Sequence, residues 1–193
     1  MPSIIRFSLV LLMALACTTP VAASDEAVER FTFAVPNAPE SAVDDGRFTL
    51  TIDRWSTDAE RTRMLEVIKE RGNASLLEAF RETGAIGYLR WPGGLEYSVR
   101  YAQRVERPDK TADVVLVVER PLWVWWDAGA DAPEAGAPAR YTVLQIRLTE
   151  KGTGEGRIAN GPSIEIDDRL GVVVPEFTTR PVLLNDVRRE ERG

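Results

Sequence analysis

Val114-Val115-Leu116-Val117-Val118 is an unbroken apolar run rich in β-branched residues. Successive side chains of a strand point to opposite faces, so a run without a polar interruption fits a strand covered on both sides. The stretches around it carry the other strand signal, an alternation with period two. Tyr97, Val99 and Tyr101 alternate with Ser98, Arg100 and Ala102 on its N-terminal side. On its C-terminal side, Leu144, Ile146 and Leu148 are read as inward against Gln145 and Arg147.

Working outward, Ile86–Trp91 reads as a strand stopped by Pro92-Gly93-Gly94. Leu122–Trp126 follows Pro121, and Lys151-Gly152 is a hairpin turn signal. Arg157–Ala159, Ser163–Ile166, Val172–Val174 and Pro181–Val187 complete the C-terminal strands. Toward the N-terminus, Phe48, Leu50 and Ile52 share a face, and Phe31–Val35 is a first strand before a Pro- and Asp-rich loop over 36–45. The segment 127–139 consists of small residues, acids and prolines and cannot build core, so it is read as a mobile excursion.

One stretch breaks the strand pattern. Thr57 and Glu60 have capping-box spacing, and Met64, Leu65, Val67 and Ile68 form an apolar stripe at helical spacing. Gly72 stops that helix, Asn73 reads as the N-cap of a second one carrying Leu76, Leu77 and Phe80, and Gly84 ends it. Residues 57–83 are thus a helical hairpin that covers one face or one end of the sheet. The expected class is α+β: a mostly antiparallel sheet or barrel-like meander of about eight to nine strands with this hairpin inserted. Closure of the sheet is left open by the pattern.

Residues 1–23 have the form of a secretory signal: Arg6, an apolar run over 7–16, and small residues at Val21-Ala22-Ala23. That run is shorter than the roughly 20 residues a membrane span needs, and no later segment is long or apolar enough. Cleavage before Ser24 leaves a single strand-rich domain, 24–193, in a periplasmic or secreted location. The rival reading is a lipid anchor at Cys17, the chain's one cysteine. Without 1–23 the net charge is −7, which disfavours nucleic acid as a partner.

The chain has no histidine, and its one cysteine lies in the leader. Imidazole bases, thiolate nucleophiles and zinc or iron–sulfur ligand sets are therefore missing from 24–193, and no cofactor or metal is expected. No glycine-rich nucleotide cradle is visible: Thr153-Gly154-Glu155-Gly156 reads as turn or bulge geometry within a hairpin. Asp44-Asp45, Asp127 with Asp131, and Glu165 with Asp167 and Asp168 are acidic clusters at turns, better read as solvated than as a catalytic pair or a calcium site. Arg90 and Arg100 either line an anionic pocket or point to water, and Asn73-Ala74-Ser75 matches a glycosylation sequon that helix capping explains.

The concentration of aromatics is the positive signal. Trp91, Tyr97, Tyr101, Trp123 and Trp125 are the candidate ligand-binding residues, against the plainer alternative that they fill core beside the helical hairpin. The expectation is a non-catalytic exported protein whose aromatic face binds a small apolar or sugar-like ligand or a protein partner. The alternatives are a structural or interaction component of the bacterial envelope and a carboxylate-based hydrolase or lyase.

Six short stretches carry a resemblance: Arg54-Trp55-Ser56-Thr57-Asp58-Ala59-Glu60, Ile86-Gly87-Tyr88-Leu89-Arg90, Arg100-Tyr101-Ala102, Glu119-Arg120-Pro121, Gly154-Glu155-Gly156 and Pro181-Val182-Leu183-Leu184-Asn185. They resemble a pattern in a family of uncharacterised exported bacterial proteins and span about Phe48 to Arg188. The resemblance implies a bacterial, exported, one-domain protein and brings no assigned activity.

Overall fold

Alternation produces strands here and their pairing closes them. A computed structural model describes residues 29–36, 46–122, 141–167, 172–177 and 181–190. The signal-like segment 1–23 with Cys17, the acidic pair Asp44-Asp45, the tryptophans Trp123 and Trp125, the loop 127–139 and Asp168 lie outside the described residues.

The strands are β1 (Glu29–Ala34), β2 (Phe48–Ile52), β3 (Gly87–Arg90), β4 (Glu96–Glu106), β5 (Ala112–Val118), β6 (Thr142–Leu148), β7 (Thr153–Asn160), β8 (Ser163–Asp167), β9 (Val172–Glu176) and β10 (Val182–Arg189). Eight of them form a closed antiparallel barrel in the order β1-β2-β3-β4-β5-β6-β7-β10, and β8 pairs with β9 as a separate two-stranded sheet. Each barrel strand neighbours the next along the chain, apart from the β8–β9 hairpin between β7 and β10. The seam is β1 against β10, with Phe31 opposite Arg189 and Thr32 opposite Arg188. The expected α+β meander is therefore a closed barrel.

An eight-stranded barrel has an interior just wide enough for side chains to fill. Phe31, Phe33, Phe48, Leu50, Ile52, Leu89, Val114, Leu116, Leu144, Ile146 and Leu184 are all buried in one cluster inside it. Gly154 and Gly156 are strand residues whose register places them opposite Leu148 and Ile146, on the inner face. A Cβ on Gly154 would lie 2.0 Å from the carbonyl oxygen of Arg147, so the approach requires glycine. This corrects their reading as turn residues; the register with β10 does shift beside them, between Leu184 opposite Gly156 and Val187 opposite Gly154. The turn glycine is Gly152, with φ +76° and its N–H donating to Thr149 O at 2.9 Å.

Both faces of β5 are buried. Ala112, Val114, Leu116 and Val118 face the lumen, whereas Val115 and Val117 belong to a second core outside the barrel. That second core is closed by α1 (Asp58–Arg71) and α2 (Leu76–Glu82), with a 3-10 turn over Asn73–Ser75 between them. Met64 and Val67 of α1 and Leu76, Leu77, Ala79 and Phe80 of α2 pack there against Tyr101, Tyr141, Val143 and Ile164.

The hairpin starts as its spacing requires. Glu60 N–H donates to Thr57 Oγ1 at 3.2 Å, and Thr57 N–H donates to Glu60 Oε2 at 2.8 Å. Arg54 grips the same carboxylate at 2.9 and 2.8 Å. Gly72 ends α1 at φ +70°, a conformation that favours glycine. Asn73 caps no helix: its side-chain oxygen accepts the N–H of Ile164 at 2.8 Å and ties β8 to the hairpin.

Among the described residues no helix is long and apolar enough to cross a membrane.

Candidate functional site

The three described candidate aromatics, Trp91, Tyr97 and Tyr101, do not share a surface. Trp91 follows β3 in a turn closed by its own N–H donating to Leu95 O at 2.8 Å, with Gly93 and Gly94 both at φ +98°. Its ring packs edge-on to Phe48 at 5.1 Å and lies 6.4 Å from Tyr97, so it plugs one end of the barrel. Trp91 is only 9% exposed.

Tyr101 is on the other side of the wall. β4 carries one extra residue between Val99, opposite Val118, and Tyr101, opposite Val117. Such a bulge reverses the in–out alternation beyond it. Val99 and Ala102 therefore face the lumen, and Tyr101 packs under the helices, 6.2 Å from Phe80. Its hydroxyl donates to Gln103 Oε1 at 2.7 Å, and burial pushes its pKa well above the usual tyrosine value. The single face expected to carry Trp91, Tyr97 and Tyr101 is thus split by one inserted residue.

The arginines singled out in the sequence are engaged. Arg90 donates to Glu96 at 2.8 Å on the rim, and Arg100 binds Glu119 at 2.7 Å and the Thr83 carbonyl at 3.0 Å, at the end of α2. Glu165 and Asp167 lie along β8, and among the described residues no three His, Cys, Asp or Glu side chains are grouped to hold a metal.

One recess among the described residues lies where the sequence pattern did not point. A groove of about 300 Å³ lies on the outer wall where β6, β7 and β10 run side by side. Cross-strand register builds it: Gln145 stands opposite Arg157, and Arg157 opposite Leu183. One step along, Arg147 faces Glu155, and Asp113 faces Arg147 from β5. Asn185 completes the β10 side. The floor is Gly156 and Leu184; a Cβ on Gly156 would come within 2.8 Å of Gln145 O and 3.1 Å of Leu184 Cδ1.

Electrostatically the groove has two parts. Asp113 is 5% exposed and is bound by Arg147 Nε at 2.8 Å and Arg107 Nε at 2.8 Å. Burial pushes its carboxyl up, but the guanidinium bonds from Arg147 and Arg107 outweigh that and hold it below the usual carboxylate range. Arg157 is arranged differently. It donates to the neutral Gln145 Oε1 at 3.2 Å and sits over the Phe177 ring, 5.2 Å from its centroid. The alternation of Tyr141–Leu148 already marks Gln145 and Arg147 as outward. That β7 and β10 flank them is decided by long-range pairing, which no local pattern encodes.

No protein family, curated protein or solved structure matches this chain.

Proposed function

We propose that the protein is an exported, non-catalytic binding protein of the bacterial envelope that takes its ligand or partner on the outer wall of the barrel. The supporting observation is a contrast: the lumen is packed with side chains, while the outer wall carries a polar groove of about 300 Å³. Ligand sites are concave, with a few convergent polar groups and volumes from roughly 300 Å³ upward. Gln145, Arg157 and Asn185 converge on the groove, and Leu183, 56% exposed, gives it an apolar lip. Without histidine, and with its only cysteine in 1–23, the domain is better furnished for recognition than for bond chemistry.

Export rests on the signal-like segment 1–23, with a lipid anchor at Cys17 as the alternative. The intact mass of the protein isolated from cells distinguishes free from acylated forms. The binding reading is tested by screening envelope glycans and peptides against isotope-labelled protein and mapping amide shifts. Perturbations centred on residues 145, 157 and 185 are expected. Ligands whose perturbations centre on Trp91 and Tyr97 would replace this reading with the rim as the site.

A further inference from the structure

The barrel arginines differ in one respect. Arg30 lies 3.5 Å from Glu190, Arg90 2.5 Å from Glu96, Arg100 2.6 Å from Glu119, Arg104 2.6 Å from Glu29, Arg147 2.8 Å from Asp113, Arg188 2.9 Å from Asp186, and Arg189 3.9 Å from Glu29. Arg157 has no such partner among the described residues; its contacts are the Gln145 amide and the Phe177 ring. A guanidinium held by a neutral acceptor and an aromatic ring keeps free N–H donors and its full charge.

We propose that the outer-wall groove binds a carboxylate, with Arg157 as its anchor, an inference that rests on the groove being the binding site. The planar fork of arginine matches a carboxylate in a two-point contact, and the stacking and amide contacts fix its plane before the ligand arrives. Asn185 adds an amide donor on the β10 side. Two carboxylates already line the groove. Asp113 and Glu155 are matched by Arg107 and Arg147, so among the described residues of the groove Arg157 is left as the uncompensated cation. At about 300 Å³ the recess admits one acidic sugar ring or the C-terminal end of a peptide.

The test is calorimetric titration at low salt with four probes in two matched pairs. Glucuronate is paired with glucose, and acetyl-alanyl-alanine with its C-terminal amide. Binding of one carboxylate over its neutral twin is expected, and the pair that responds identifies the source as sugar acid or peptide end. Arg157→Gln should weaken that binding roughly 10- to 100-fold while lowering the melting temperature by no more than about 4 °C, because among the described residues the side chain holds no ion pair and its ring contact is worth about 1 kcal/mol or less. Arg157→Lys should fall between the two, keeping charge without the fork. Equal binding of charged and neutral twins, or unchanged binding by Arg157→Gln, overturns the carboxylate assignment and leaves the groove as a site. Failure of both carboxylates while screened ligands still map to residues 145 and 185 likewise overturns this inference alone. Ligands that map away from the groove overturn both.

Discussion

Val117→Thr tests the architecture at its central strand. Valine and threonine are near-isosteric and both β-branched, so strand preference is matched and no cavity opens. What changes is one hydroxyl at a position with 0% exposure, between Tyr101 and Val143 in the register and under the helical layer. Burying a hydroxyl without a partner costs about 1–3 kcal/mol in proteins. For a chain of this length, about 2–4 °C is lost per kcal/mol, so the melting temperature should drop by roughly 2–12 °C. Val114→Thr on the lumen face, also 0% exposed, should cost a similar amount. Leu183→Thr, at an exposed position of the wall, should stay within about 0.5 kcal/mol of wild type. The assay is thermal melting by circular dichroism for the three variants side by side. If Val117→Thr melts like wild type while Val114→Thr does not, the outer core under the hairpin is refuted.

Further outcomes follow from other contacts. Thr57→Ala removes the hydroxyl of the capping box and should cost about 1 kcal/mol, read as a lower urea midpoint. Bonding from Arg54 holds the Glu60 carboxyl at about 2, below its ordinary 4.5. The unfolded chain therefore binds this proton first, and stability present above pH 4.5 is lost as pH falls toward 2; in Glu60→Gln that part of the acid-unfolding curve should flatten. Gly154→Ala would drive a methyl against Arg147 O, and an expression and melting comparison should show a destabilised barrel. Thr142→Val removes a fully buried hydroxyl that bonds Arg120 O at 2.9 Å and Asn160 Oδ1 at 2.6 Å; the urea midpoint should fall by about 1–3 kcal/mol equivalent with an unchanged slope.

Local chemistry was readable in the chain where neighbours in sequence decide it. The two-sided burial of β5, the Thr57–Glu60 box, the Gly72 stop and the Gly152 turn all depend on residues within one turn or one strand. Closure was not readable, because β1 finds β10 from nearly the opposite end of the chain. Tyr101 was misplaced because period-two counting assumes an uninterrupted strand, and one bulged residue at Arg100 reverses every later side chain of β4. Asn73 has the composition of a cap, yet the N–H of Ile164, distant in sequence, claims its side chain. The groove was invisible for the reason closure was: its walls come from β6, β7 and β10, and only their alignment puts Arg157 between Gln145 and Leu183.

The seam between the first and last strands governs the order of assembly. A polypeptide appearing N-terminus first can zip β1 through β7 as it emerges, but the cylinder stays an open ribbon until β10 arrives. Until then β1 and β7 each present a raw margin of unpaired amides and carbonyls, the kind that recruits stray chains. Shortening the C-terminus by the length of β10 would make that transient permanent, converting a molecule with a sealed wall into one that polymerises along its two bare margins.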